Sequence, residues 1–90
     1  MLLSEVIDYT ADLFDITALD LTADRRKKHI YRARAALYIG LWIRTELTGR
    51  APSYSMVGRS VGDRDHTTIM HGAGNGERDP LFPVLFERLK

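Results

Sequence analysis

The chain has 90 residues, a formal net charge of +1 and no cysteine. That length fits one small domain with a marginal core, and the lack of thiols excludes a disulfide framework and thiolate metal sites and fits a reducing cytosol. No apolar run is long enough to span a membrane, and the first residues lack the basic-then-apolar order of a secretory signal.

The small net charge conceals a segregation. Residues 1–24 hold six acids and no Lys or Arg, so the rest holds all 13 basic residues against six acids, a balance of +7. Two wet charged faces would produce such a pattern; so would an anion-binding surface.

Helical periodicity runs through the chain. Val6, Ile7, Thr10, Leu13 and Phe14 recur at helical spacing and predict a helix over 4–14 capped by Ser4, with Asp8, Asp12 and Asp15 on its wet side. Thr17, with Asp20 three residues on, predicts a capped short helix through about Asp24, with Leu19 and Leu21 closing over the first helix. The longest pattern, 30–48, carries Ile30, Ala33, Leu37 and Leu41, joined by Tyr38, Trp42 and Ile43, and reads as the core helix. Its aromatic residues read as core rather than as platforms for bases. Gly40 costs about 1 kcal/mol relative to Ala, which suggests close approach of another helix. Gly49 and Pro52 end the pattern.

Ser53 caps a predicted helix over 54–61, with Met56, Val57 and Val61 inward and Gly58 small enough for a tight crossing. Gly62-Asp63 makes a turn, and Asp65 caps a helix from His66 to about Ala73. Gly72, Gly74 and Gly76 weaken any continuation, and Asp79-Pro80 stops it. A last short helix, Val84 to about Leu89, follows Pro83. Leu81, Phe82, Leu85 and Phe86 serve as core or, alternatively, as a docking tail for a partner. The fold class expected is all-α: a single domain over 1–90 with five to six helices, a helix-turn-helix at 53–73 and a helical tail at 80–90.

Two stretches suggest chemistry. Arg25, Arg26, Lys27, Lys28, Arg32 and Arg34 make six cations in ten residues at a helix entrance. Cations there oppose the macrodipole, so helix stability does not explain them; phosphate oxygens would neutralise them, although a solvated loop also accommodates such a run. A nuclear-localisation or lipid-surface role is weaker, because no amphipathic membrane face accompanies the run. The second stretch is Gly62 through His71. Two capped helices joined by a Gly-containing turn form a helix-turn-helix, whose second helix presents its N-terminal residues to base edges in the major groove. Those residues are Asp65, His66, Thr67 and Thr68. A carboxylate accepts from the cytosine amine, a threonine offers a hydroxyl and a methyl, and a histidine donates to guanine or thymine. Arg59 and Arg64 lie close enough for phosphates. Asp65 also works as a plain N-cap.

The run Gly62-Asp63-Arg64-Asp65-His66-Thr67-Thr68-Ile69-Met70-His71 resembles the signature of the C-terminal DNA-binding domain of DnaA, the bacterial chromosomal replication initiator. Arg25-Arg26, Arg32-x-Arg34, Glu46-Leu47-Thr48 and Ser53 through Gly58 fall in family order, and the likeness covers roughly residues 4–72. It implies an all-helical domain that binds a short asymmetric duplex box. Asp65, His66 and Thr67 would read bases in the major groove, Thr68 would touch backbone or a thymine methyl, and Arg26 would enter the minor groove. Arg25, Lys27, Lys28, Arg32 and Arg34 would contact phosphate, with Tyr54 and Ser55 touching the DNA from the first helix of the pair. The sequence departs from the family in about three extra residues in the long helix and about two in the turn after it. The glycines at 72–76 replace a helical continuation and predict that the recognition helix ends soon after His71.

No Gly-x-x-x-x-Gly-Lys-Ser/Thr phosphate loop occurs in these 90 residues, so initiator ATPase activity is not expected of them. The Met1 start favours a stand-alone domain over a fragment. The function expected is sequence-specific duplex binding at DnaA-box-like sites, modulating replication initiation or transcription, in the cytoplasm at the nucleoid. No cofactor and no membrane is expected, and a replication or regulatory protein is a possible further partner. Two other functions draw on parts of the same sequence. An adaptor that kept the fold but lost DNA would use the acidic helices or the 81–89 tail. A metal-dependent nuclease would use Asp63, Asp65, His66 and His71, but His66 and His71 are five apart and face different sides of a helix, so no enzyme is expected.

Overall fold

The computed structural model describes residues 1–22 and 28–90, and the side chains of all of these except Lys28 and His29. Among the described residues there are six helices and no strand: α1 Leu3–Leu13, α2 Ala18–Thr22, α3 Lys28–Leu47, α4 Tyr54–Ser60, α5 His66–Glu77 and α6 Phe82–Leu89. The all-α expectation holds.

α3 is the axis on which the other helices pack. From Ala33 to Leu41 every side chain is buried, because α1, α2, α4, α5 and α6 approach from different sides. Such a helix cannot show a narrow apolar stripe. Gly40 fits the expected close approach: a β-carbon there would lie 3.2 Å from Leu85 Cδ2 of α6 and 3.6 Å from Val6 Cγ1 of α1. α3 ends as a Schellman turn. Gly49 takes φ +83°, its N–H donates to the Glu46 carbonyl at 3.0 Å, and the Arg50 N–H reaches back to Thr45 at 3.3 Å.

Several boundaries differ from expectation. α1 starts one residue earlier than its supposed cap Ser4. Leu2 occupies the cap position, where its N–H donates to Glu5 Oε1 at 2.9 Å. The Thr17–Asp20 box forms in both directions, at 3.2 and 3.1 Å, but Leu21 alone of the two leucines is buried. Leu19 is 66% exposed and does not cover α1. The expected end of that helix at Asp24 lies outside the described residues. Met56 is half-buried, while Val57 and Val61 are fully inward. α6 begins at Phe82 rather than Val84, with Pro83 in its first turn and Asp79 Oδ1 accepting the Leu81 N–H at 2.9 Å. Leu85 and Leu89 of this helix are fully buried, so the tail belongs to the core.

The largest correction concerns α5. It does not end soon after His71 but continues to Glu77. Gly72 and Gly76 lie on the face that meets α3. A β-carbon on Gly72 would sit 2.6 Å from the Tyr38 ring, and one on Gly76 would overlap the Ala35 carbonyl. The glycines lower helix propensity but let two helices touch backbone to backbone, and tertiary packing outweighs the local preference.

Arg44 closes the fold. Its Nε donates to the Met1 carbonyl at 2.7 Å and its Nη1 to that of Leu89 at 3.0 Å, so both ends of the chain rest on α3.

Candidate nucleic-acid interface

α4 and α5 are joined by a turn with two left-handed residues, Gly62 at φ +91° and Asp63 at φ +58°. Gly62 is required twice over. Its φ disfavours a side chain, and a β-carbon would come within 2.8 Å of the Thr22 carbonyl. Gly58 packs against both the turn and α5: a β-carbon there would overlap the Arg64 carbonyl and lie 3.6 Å from Ile69 Cγ1, while the Arg64 N–H donates to Gly58 O at 2.9 Å. The turn is thus folded onto α4.

α5 is fixed from below by Ile69, which is fully buried. Asp65, His66, Thr67 and Thr68 are all exposed at its start. Asp65 Oδ2 accepts the Thr67 N–H at 3.2 Å, completing the N-cap, while Oδ1 lies 3.5 Å from His66 Nδ1. The carboxylate therefore caps with one oxygen while the other stays beside the imidazole, and negative charge here suits the helix dipole. Met70 and His71 continue the exposed surface.

The other expected contacts divide. Arg59 and Ser55 are exposed on α4. Tyr54 is half-buried and stacks on Trp42, with ring centroids 4.6 Å apart, so its ring is committed to packing. Arg64 is half-buried, and its Nη2 donates to the Thr22 carbonyl at 3.4 Å. Arg25, Arg26 and Lys27, and the Lys28 side chain, lie outside the described residues. Thr22, three residues before Arg25, is pinned against Gly62 and Arg64. The chain thus leaves α2 beside the helix-turn-helix turn just before the basic run.

Arg34 is a correction. It is 7% exposed, and it donates from Nε to Leu21 O and from Nη2 to Asp20 O, both at 3.1 Å. Its guanidinium satisfies carbonyls at the end of α2 and is not presented to a phosphate. Arg32, two residues away and so on another side of α3, is held by Asp79 through Nε and Nη2 at 2.9 and 3.0 Å. The Arg32 hydrogen bonds hold the Asp79 carboxyl below the usual range, and the same bonds raise Arg32. Tyr38, buried under Gly72, has its phenol pushed up by burial, an effect opposed by the charges of Arg64 and Arg34. Sequence reading did not find the parts played by Thr22, Tyr31, Asn75 and Asp79. Their partners are 42 to 47 residues away, a separation that leaves no periodic signal.

Comparison with known proteins gives the arrangement a family. The model for the bacterial dnaA protein helix-turn-helix matches residues 3–74. The chromosomal replication initiator protein DnaA of Cutibacterium acnes is 39% identical over 87 residues, covering 91% of this chain and 16% of that protein. The protein of that name in Neisseria meningitidis serogroup C is 34% identical over 88 residues, covering 93% and 16%. The one in Caulobacter sp. K31 is 37% identical over 62 residues, covering 69% and 12%. The chain therefore spans less than a fifth of the length of these relatives. No solved structure matches. With the family model covering most of the chain and the helix-turn-helix formed in the structure, this chain belongs to the DnaA helix-turn-helix family of DNA-binding domains.

Proposed function

We propose that the chain binds a DnaA-box-like duplex sequence-specifically and without ATP hydrolysis, and so modulates replication initiation or transcription at the bacterial nucleoid. The observation that carries this reading is the exposed Asp65-His66-Thr67-Thr68 start of α5, capped by Asp65 and held from below by the buried Ile69. In this reading α5 enters the major groove and Asp65, His66, Thr67 and Thr68 meet base edges. Arg26 enters the adjacent minor groove. Arg25, Lys27, Lys28, Ser55, Arg59 and Arg64 supply backbone contacts, which position the domain and make affinity salt-dependent.

The test is selection of binding sites from a random duplex pool, followed by titration of the selected duplex and a scrambled one at several salt concentrations. Enrichment of one box and a steep fall in affinity with salt are expected. Equal binding to both duplexes at moderate salt would refute sequence-specific recognition. No binding at low salt by a folded protein would favour a protein-interaction role.

A further inference from the structure

If α5 reads bases while the basic run entering α3 holds the same duplex, the placement of α5 along α3 sets how far apart the two contacts lie. Along the seam between these helices Gly72 of α5 faces the Tyr38 ring of α3, and Gly76 faces the Ala35 carbonyl. These contacts set how closely the helices approach, and polar contacts at the end of the seam add to what holds their register. At the entrance of α3, two consecutive side chains reach across it. The Tyr31 hydroxyl accepts from Asn75 Nδ2 at 2.7 Å, and Arg32 makes its double bond to Asp79. Asn75 lies in the last turn of α5, and Asp79 lies two residues beyond the end of that helix. Arg78 Nη2 donates to Asn75 Oδ1 at 2.7 Å, which leaves the amide nitrogen to face Tyr31. The Arg32 guanidinium also lies 5.6 Å from the centre of the Phe14 ring, which ties the same corner to the end of α1.

We propose that Tyr31, Arg32, Asn75 and Asp79 form a register clamp that sets the position of α5 relative to the first turns of α3, and so are positioning residues for sequence-specific DNA binding. The inference rests on the DNA-binding reading above. Arg32 acts on DNA through Asp79 and does not itself hold a phosphate. Tyr31 and Asn75 are exposed, so their bond adds little to global stability while fixing geometry.

Full-length Tyr31→Phe, Asn75→Ala and Asp79→Asn variants are titrated with the duplex selected by the wild type and with a scrambled duplex, at two salt concentrations, with melting temperature followed in parallel. Tyr31→Phe and Asn75→Ala are each expected to cut the selected-to-scrambled affinity ratio by roughly three- to ten-fold. Their scrambled-duplex affinity, salt dependence and melting temperature should stay close to wild type. The Tyr31→Phe, Asn75→Ala double variant should lose no more than the worse single, as two ends of one bond do. Unchanged ratios in both singles overturn the clamp. So does an equal loss on both duplexes with a shallower salt dependence, which marks direct phosphate contacts. Asp79→Asn should also lose discrimination; tighter binding to both duplexes would show Arg32 to be a phosphate ligand held back by Asp79. If the wild type enriches no sequence from a random pool, the DNA-binding reading itself fails. If it does, and the variants keep the ratio, only the clamp fails.

Discussion

Gly76 lies flat against the Ala35 carbonyl, so that α5 and α3 meet there as backbone on backbone. Two residues earlier in α5, Gly74 has no heavy atom within 4 Å of where its β-carbon would be. The same residue type thus serves opposite ends two positions apart, a necessity at 76 and a loss of helix propensity at 74.

Gly74→Ala should therefore raise stability by up to about 1 kcal/mol, the propensity difference between the two residues. Gly76→Ala should lower it by roughly 1–3 kcal/mol, because overpacking against a backbone carbonyl exceeds the same propensity gain. Thermal or urea unfolding of both variants decides it. Two shifts of the same sign would mean that α5 does not pack on α3 in this way.

The Arg32–Asp79 pair predicts a pH dependence of definite sign. Asp79 is held below the ordinary carboxylate range chiefly by the Arg32 hydrogen bonds. A depressed folded value contributes stability that is present above the unfolded value of about 3.9 and is lost as pH falls through the folded value. The stability difference between wild type and Asp79→Asn should accordingly be widest near neutral pH and shrink in acid below pH of about 4. A difference that stays constant from neutral to strongly acidic pH would show that Asp79 contributes nothing through its charge.

Arg34 and Arg59 should separate fold from binding. Arg34→Ala removes a buried guanidinium from two carbonyls and should cost about 2–4 kcal/mol of stability. Arg59→Ala, at an exposed position, should leave the melting temperature nearly unchanged while weakening selected and scrambled duplexes alike and reducing the salt slope by about one. Loss of DNA affinity in a fully stable Arg34→Ala variant would contradict the buried placement.

Asp65 combines a cap with a proposed base contact, and two substitutions divide them. Asp65→Ala should cost about 1 kcal/mol through the lost cap. Asp65→Asn keeps an oxygen for the Thr67 N–H and should hold stability to within a few tenths of a kcal/mol. If Asp65 reads a base, both variants relax or change preference at one position of the selected box. An Asp65→Asn variant with an unaltered selected site would leave Asp65 as a cap alone.

Helical periodicity and caps made most of the fold legible. Thr17 with Asp20, Ser53 and Asp65 each bind the backbone groups their positions imply. Local chemistry of this kind needs only three or four residues. The continuation of α5 was not legible, because its three glycines argue locally against a helix while the reason for two of them lies on α3. Arg34 misled in a related way. Charge composition put it with the phosphate contacts, but it is buried and donates to carbonyls of α2. The start of α5, expected at Asp65-His66 from the cap, is exposed in the structure, since a helix that buries Ile69 turns its capped first turn to solvent.

The hold of Arg44 on both Met1 and Leu89 has a topological consequence. A chain whose first and last helices end on one guanidinium is nearly a closed ring, and its order of helices is then a matter of where the ring is cut. A short linker across that guanidinium, with new ends opened at the exposed turn around Gly49 and Arg50, would let α4 lead the sequence and α3 finish it. The helix-turn-helix would then fold from the first residues synthesised, and its central helix would arrive last.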